Sequence, residues 1–272
     1  MRRLIQFFAA TLSVILIAAG LHSQPGSHRL LFIGIDGCRP DAVEGATAPN
    51  LHQILDDGIA SPDALTLYPT WSANGWSTML TGVNHLKHLA KINSFPESNF
   101  DDYPDFITHA EAWYPDFNSF SVVQWNPINY NIIQNCDNEI TASSDYDVAL
   151  ASIDILQNED PHILFIAFND VDAAGHAYGF HPDIQPYREA IEQTDFYISQ
   201  IRDALIQRPD FENENWMIAV ATDHGGIPAG HGGGTLEERN AFTCWFQSGI
   251  EAEELEREVL PDASSVSYVQ LP

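Results

Sequence analysis

Three short runs of this sequence, Leu30 to Ile35, Ile163 to Phe168 and Trp216 to Ala221, are apolar throughout, and each meets an aspartate within two residues of its end. A strand with one face to water alternates in polarity. A run that is apolar at every position is buried on both faces, as in a central parallel strand covered by helices. The segments between the runs carry helical patterns. The clearest has Tyr187, Ile191, Ile198, Ile201 and Leu205 at spacings of three, four and seven, with charges between them. Asn50 to Leu55 (after Pro49), Trp76 to Leu80 and Tyr146 to Leu156 read as further helices; Ser119 to Trp125 and Phe242 to Phe246 read as strands. The alternation predicts an α/β fold with a mostly parallel central sheet.

With 272 residues, 44% of them hydrophobic, the chain has the composition of a globular protein, and no repeat or low-complexity linker divides it. The start is different in kind. Arg2 and Arg3 precede an almost wholly apolar Leu4 to Ala19, followed by small and polar residues, which is the order of a secretory signal peptide. Residues 1–23 are therefore expected to be removed, leaving one catalytic domain over 27–272, periplasmic or secreted, with no stable membrane anchor. The net charge of −27 repels nucleic acid phosphates, so no nucleic acid binding is expected, and an anionic small-molecule substrate needs bound cations in the site. Cys38, Cys136 and Cys244 are too few and too scattered for a thiolate metal site; their spacing leaves both a disulfide and free thiols open.

In open α/β sheets, sites form at the carboxyl ends of the strands. Here those ends supply Asp36, then Asp172 and His176, then Asp223 and His224, with His231 in a glycine-rich stretch beyond. Carboxylates and imidazoles without thiolates suit catalytic zinc, and the set is too large for one tetrahedral ion but sensible for two. Clustered carboxylates among apolar strand ends would be costly without cations. A second element is Tyr68 to Gly82, where Thr70, Ser72, Ser77 and Thr78 compete as hydroxyl nucleophile at a helix start. Ser77 and Thr78 read as lying inside the helix, and Ser72, on local sequence alone, reads as its N-cap.

Taken together, Ile35 to Asp41, Pro69 to Gly82, Asp172 to His176, Asp223 to Gly226 and His231 resemble, in order, the motifs of the alkaline phosphatase superfamily, most closely its nucleotide pyrophosphatase/phosphodiesterase branch. The resemblance implies a three-layer fold with helices on both faces of the sheet. It also implies a division of ligands between two divalent ions, expected to be zinc: Asp36, Asp223 and His224 with the Ser72 oxygen on one, and Asp172, His176 and His231 on the other. It makes Ser72 the nucleophile that forms a phosphoseryl intermediate during hydrolysis of a phosphate mono- or diester. Where the branch carries an asparagine three residues beyond the nucleophile, this chain has Gly75, so Asn74 and Asn93 are the candidates to replace that amide. The sulfatase signature is absent around Ser72, and the chain is short for the family, so an accessory cap is expected to be missing. A phosphonate hydrolase with the same site and a catalytically lapsed metal-binding protein are the alternatives. His52, His85, His88, His109, His162 and His181 read as packing or surface residues, and Asp170 as no more than a neighbour of the ligands.

Overall fold

The computed structural model describes residues 28–256. Within them β1 (His28–Ile35), β2 (Ile59–Leu65), β3 (Ser119–Val123), β4 (Asn138–Thr141), β5 (Ile163–Phe168), β6 (Asn215–Ala221), β7 (Asn240–Gln247) and β8 (Glu253–Glu254) form one sheet in the order β4-β3-β5-β1-β6-β7-β2-β8. The first five of that order run parallel, β7 is antiparallel to both β6 and β2, and β8 is parallel to β2. Helices α1 (Pro40–Gly45), α2 (Pro49–Asp57), α3 (Ser72–Thr81), α4 (His85–His88), α5 (Phe106–Trp113), α6 (Asp145–Asn158), α7 (Asp170–Tyr178), α8 (Gln185–Ile206) and α9 (Leu236–Arg239) occupy the connections.

The two faces of the sheet have separate cores. Leu31, Ile33 and Ile35 of β1 join Leu164, Ile166 and Phe168 of β5 in packing under α1, α2, α6 and α8. Phe32, Phe165 and Ala219 face the other way, against Trp76 and Leu80 of α3, Ile107 of α5 and a π-helical turn at Ile128–Ile132. This is the three-layer α/β arrangement that all-apolar strands require. Local signals set the helix starts. Pro40 and Pro49 open α1 and α2, the Ser144 hydroxyl caps α6, and Thr235 with Glu238 forms a capping box on α9.

Several elements depart from the sequence reading. Helix α3 starts at Ser72 rather than Trp76, and its N-cap is Trp71, so Ser72 is the first helical residue and not the cap. β2 carries Ser61-Pro62-Asp63 and a register shift, which hid it as a strand. β4 is exposed at every position and has no apolar pattern to read. α7 is short and holds two aspartates in its first turn, and the sequence pattern predicts no helix there. The helix over 145–158 and the long α8 match their apolar spacing.

Register places the site. Ile35 pairs with Phe168 and Gly34 with Ala221, so the carboxyl ends of β5, β1 and β6 finish level and side by side. The Asp36 N–H extends the ladder to the Phe168 carbonyl at 2.9 Å.

Candidate active site

Asp36, Asp223 and His224 leave two adjacent strand ends and are buried almost completely. Asp223 accepts the Gly37 N–H on Oδ1 at 3.0 Å. His224 donates Nδ1–H to the Gly225 carbonyl at 2.7 Å. That leaves its Nε2 at 3.4 Å from Asp36 Oδ1 and 3.3 Å from Asp223 Oδ2. Asp172 and His176 lie one turn apart on α7, with 3.4 Å between His176 Nε2 and Asp172 Oδ2. His231 donates Nδ1–H to the Thr70 carbonyl at 2.7 Å. Its Nε2 sits 3.0 Å from His176 Nε2 and 3.5 Å from Asp172 Oδ1. The rings of His224 and His231 stack with centroids 3.8 Å apart, which joins the two groups.

The residues expected from the strand ends are thus brought together in two groups that could hold a metal ion. Asp36, Asp223 and His224 offer atoms within 4.8 Å of one another, and so do Asp172, His224 and His231. By distance His224 borders both sets, while His176 reaches the second through His231 and Asp172.

Electrostatics test whether cations suit this place. Asp36 Oδ1, Asp172 Oδ1 and Asp223 Oδ2 are buried and accept no hydrogen bond. Burial and the charge of Asp36 raise Asp172 to about 7, and the same two causes raise Asp223 well above the usual carboxylate range. Burial works against protonation of His224, but Asp223, Asp36 and Asp172 outweigh it and lift it to about 10. Burial and then His224 push His231 down to about 4. Three orphaned carboxylate oxygens face imidazole nitrogens whose other N–H is already committed to a backbone carbonyl in His224 and His231. Such a set fits divalent cations, and its oxygen and nitrogen donors suit zinc.

Ser72 is 4% exposed, and its Oγ lies 3.3 Å from His224 Nε2. No side chain of α3 caps the helix start; Asn93 reaches in from a separate loop and accepts the Ala73 N–H at 3.0 Å. The amide Nδ2 of Asn93 makes no hydrogen bond to the described residues, and the side chain is exposed. Asn74 is placed differently. It is fully buried and donates to the carbonyls of Leu67 and Pro69 at 3.1 and 2.7 Å, bracing the turn ahead of the helix rather than facing Ser72 Oγ. Gly75 is explained by packing, since a Cβ there would stand 2.6 Å from the Asp223 carbonyl oxygen.

The competing hydroxyls are either engaged elsewhere or, for Ser77, buried without a hydrogen-bond partner. Thr78 bonds His88 Nε2 at 3.1 Å, Thr70 bonds the glycine-rich loop, and Ser77 is sealed inside α3. Sequence reasoning gave Trp76 only a place in a helix, yet its Nε1–H donates to Asp36 Oδ2 at 2.8 Å. It also missed Arg39, which donates to the carbonyls of Phe180 and Gly226 and so ties the β1 end to the loops beyond α7 and β6. Arg39, two residues beyond Gly37, was the one local signal; Trp76 lies forty residues from Asp36 in the chain and gave none. The other histidines lie apart from the site: His88 is buried against Thr78 and Ala90, His162 stacks on Phe117, and His52 bonds the Val43 carbonyl. Asp170 accepts from Gln124 and touches no ligand by hydrogen bond. All three cysteines are free thiols.

Comparison with known proteins places the chain among relatives. The sequence profile of the type I phosphodiesterase/nucleotide pyrophosphatase family matches residues 30–116 and 90–238. The chain is 21% identical to ectonucleotide pyrophosphatase/phosphodiesterase family member 7 of Rattus norvegicus, across 88% of this chain and 59% of that one. It is also 21% identical to a bis(5′-adenosyl)-triphosphatase of Bos taurus, across 76% of this chain and 49% of that one. It therefore spans about half the length of these curated relatives. Among solved structures, murine ectonucleotide pyrophosphatase/phosphodiesterase 5, in an inactive form in complex with AMP, superposes with a TM-score of 0.58 at 18% identity, over 73% of this chain and 57% of that one. An alkaline phosphatase superfamily protein from Vibrio parahaemolyticus gives a TM-score of 0.61 at 11% identity, over 85% and 63% of the two chains.

Proposed function

We propose a phosphate-ester hydrolase acting through Ser72, and its premise is a family: the chain belongs to the type I phosphodiesterase/nucleotide pyrophosphatase family. One observation carries the reading to this chain's own residues. The buried Ser72 Oγ, at the N-terminus of α3, lies 3.3 Å from the His224 nitrogen where the two ligand sets adjoin.

Asp36, Asp223 and His224 would hold one divalent cation together with the Ser72 oxygen, and Asp172, His176 and His231 the other. When bound, two zinc ions supply a lowered pKa for the serine hydroxyl and for water, and they neutralise charge building on the phosphoryl oxygens. The chain's residues do the rest. Ser72 Oγ attacks phosphorus in line, the ester oxygen departs, and a phosphoseryl group remains until water cleaves it. The helix start beneath Ser72 favours the anionic group. The exposed Asn93 amide, already anchored to Ala73 through its oxygen, donates Nδ2–H to a phosphoryl oxygen. Trp76 holds Asp36 in place through its indole N–H.

The substrate is a small phosphate diester or monoester. The relatives' names make nucleotide esters the first compounds to assay, beside aryl phosphates. Export completes the reading. The leader at 1–23 lies outside the described residues, and among those residues no helix is long and apolar enough to cross a membrane. N-terminal sequencing of protein recovered from periplasm or medium checks the cleavage.

Ser72→Ala tests the nucleophile. Hydrolysis of aryl phosphate mono- and diesters falls at least about a thousandfold, while elemental analysis still finds two metals. Turnover near wild type in this variant overturns the assignment.

A further inference from the structure

We infer that Thr70 is a positioning residue: it locks the His231 loop against the segment carrying Ser72 and fixes His231 in the tautomer that presents Nε2 to the site. The inference rests on the reading of His231 as a metal ligand. Thr70 is 2% exposed and makes three hydrogen bonds to three consecutive residues. Its carbonyl accepts His231 Nδ1–H at 2.7 Å, its Oγ1 accepts the Gly232 N–H at 2.9 Å, and the same hydroxyl donates to the Gly233 carbonyl at 2.8 Å. The hydroxyl is thus used both as donor and as acceptor, which only serine or threonine can do here.

The loop needs such a lock. Gly230 and Gly232 have φ of +129° and +108°, conformations in which glycine is least restrained by its own sterics. His231 stands between them. Trp71, the residue between Thr70 and Ser72, lies edge-on to the His231 ring with centroids 5.8 Å apart. Its indole fills the space beside Gly232, where a Cβ would come within 3.0 Å of the ring. Thr70, Trp71 and Ser72 are therefore consecutive residues with three tasks: latch, wall and nucleophile. Because His231 donates Nδ1–H to Thr70, its Nε2 carries the lone pair toward Asp172 Oδ1 and His176 Nε2. Hydrogen-bonding partners of a metal-binding imidazole set its tautomer and orientation, and losing them weakens metal binding by roughly 10- to 100-fold.

The test uses the full chain, labelled with 15N-histidine and stripped of metal. Long-range proton–nitrogen correlation spectra, with the ring neutral, show His231 as the Nδ1–H tautomer in the wild type. Thr70→Val, which keeps the shape and deletes the hydroxyl, gives a tautomer mixture. Zinc titration against a competing chelator then shows one of two binding steps weakened by roughly 10- to 100-fold. Thr70→Ser restores both readouts. A wild-type spectrum dominated by the Nε2–H tautomer overturns the inference without any variant, so a poorly folding Val variant does not shield it. Weakening of neither step, equal weakening of both, or failure of Ser to restore also overturns it. None of these readouts needs a substrate. An active Ser72→Ala enzyme would therefore sink the nucleophile and leave the Thr70 result standing, and the reverse holds as well.

Discussion

The two halves of the site are built from different material. Asp36, Asp223 and His224 come straight off β1 and β6, and their side chains are 2%, 0% and 0% exposed. Asp172, His176 and His231 come from α7 and a glycine-rich loop, and the His176 side chain is 54% exposed. The strand-end half is fixed by sheet register and by Trp76, while the second half is fixed by the Thr70 latch and the wedge of Phe180, whose ring meets both His176 and His231 edge-on. Rigidity beside Ser72 and openness beside the solvent are what the proposed two-step phosphoryl transfer would require. The first step needs a positioned Ser72, and the second needs water to enter.

The largest effect should follow from breaking the strand-end half. Asp223→Asn is expected to lower hydrolysis at least about a thousandfold, as removal of a group acting only as part of a unit does. The metal-free variant should be no less stable than the metal-free wild type, because it loses a buried carboxylate pressed against Asp36. Thermal melts with and without zinc check this; a metal-free variant melting well below wild type would show that the carboxylate has a structural role of its own. His176→Ala, in the open half, should lose roughly 10- to 100-fold in activity at limiting zinc and recover much of it when zinc is added. If both variants respond alike to zinc, the halves are not distinct.

Chelation sharpens the same contrast. Zinc should leave in two phases, the faster from the half with the exposed His176, and a fast-stripped protein should keep about half its metal. Stopped-flow release into a chromogenic chelator, beside elemental analysis, reads both phases. A single phase carrying all the metal would mean that burial does not separate the ions.

How the halves could be read from sequence follows the same division. Asp36, Asp223 and His224 announced themselves because an apolar run ending in a carboxylate has one plausible address in an α/β sheet. The frame of the fold was legible for that reason, from β1, β5 and β6 through the periodic α8. Elements without an apolar pattern were not: β4 faces water at every residue, and β2 is interrupted by Pro62. Ser72 shows the limit most clearly. Its neighbours suggested a cap, because sequence does not reveal that a side chain twenty-one residues later, Asn93, binds the helix start and leaves the serine hydroxyl for His224. Thr70 was visible only as a rival hydroxyl, since its partners at 231–233 are distant in the chain.

The smallest predicted effect lies behind the strand-end half, in the scaffold of α3. His88 is fully buried; its Nδ1 accepts the Ala90 N–H at 3.1 Å, and its Nε2–H bonds Thr78 of the helix that carries Ser72. Burial, helped by His85, holds its pKa down to about 4 from an ordinary 6.5. Between those values the unfolded chain binds a proton that the folded chain refuses, so stability rises with pH through that window. The contribution is complete above about 6.5 and is lost as pH falls through 4, with a size on the order of 3 kcal/mol. Zinc would mix this with protonation of the ligands, so the measurement belongs on metal-free protein. Urea unfolding of wild type and His88→Asn between neutral pH and pH about 4 should give stability curves that converge as the pH falls. Parallel curves would mean that His88 is protonated in the folded state, and that acid sensitivity resides in the site and not in the helix behind it.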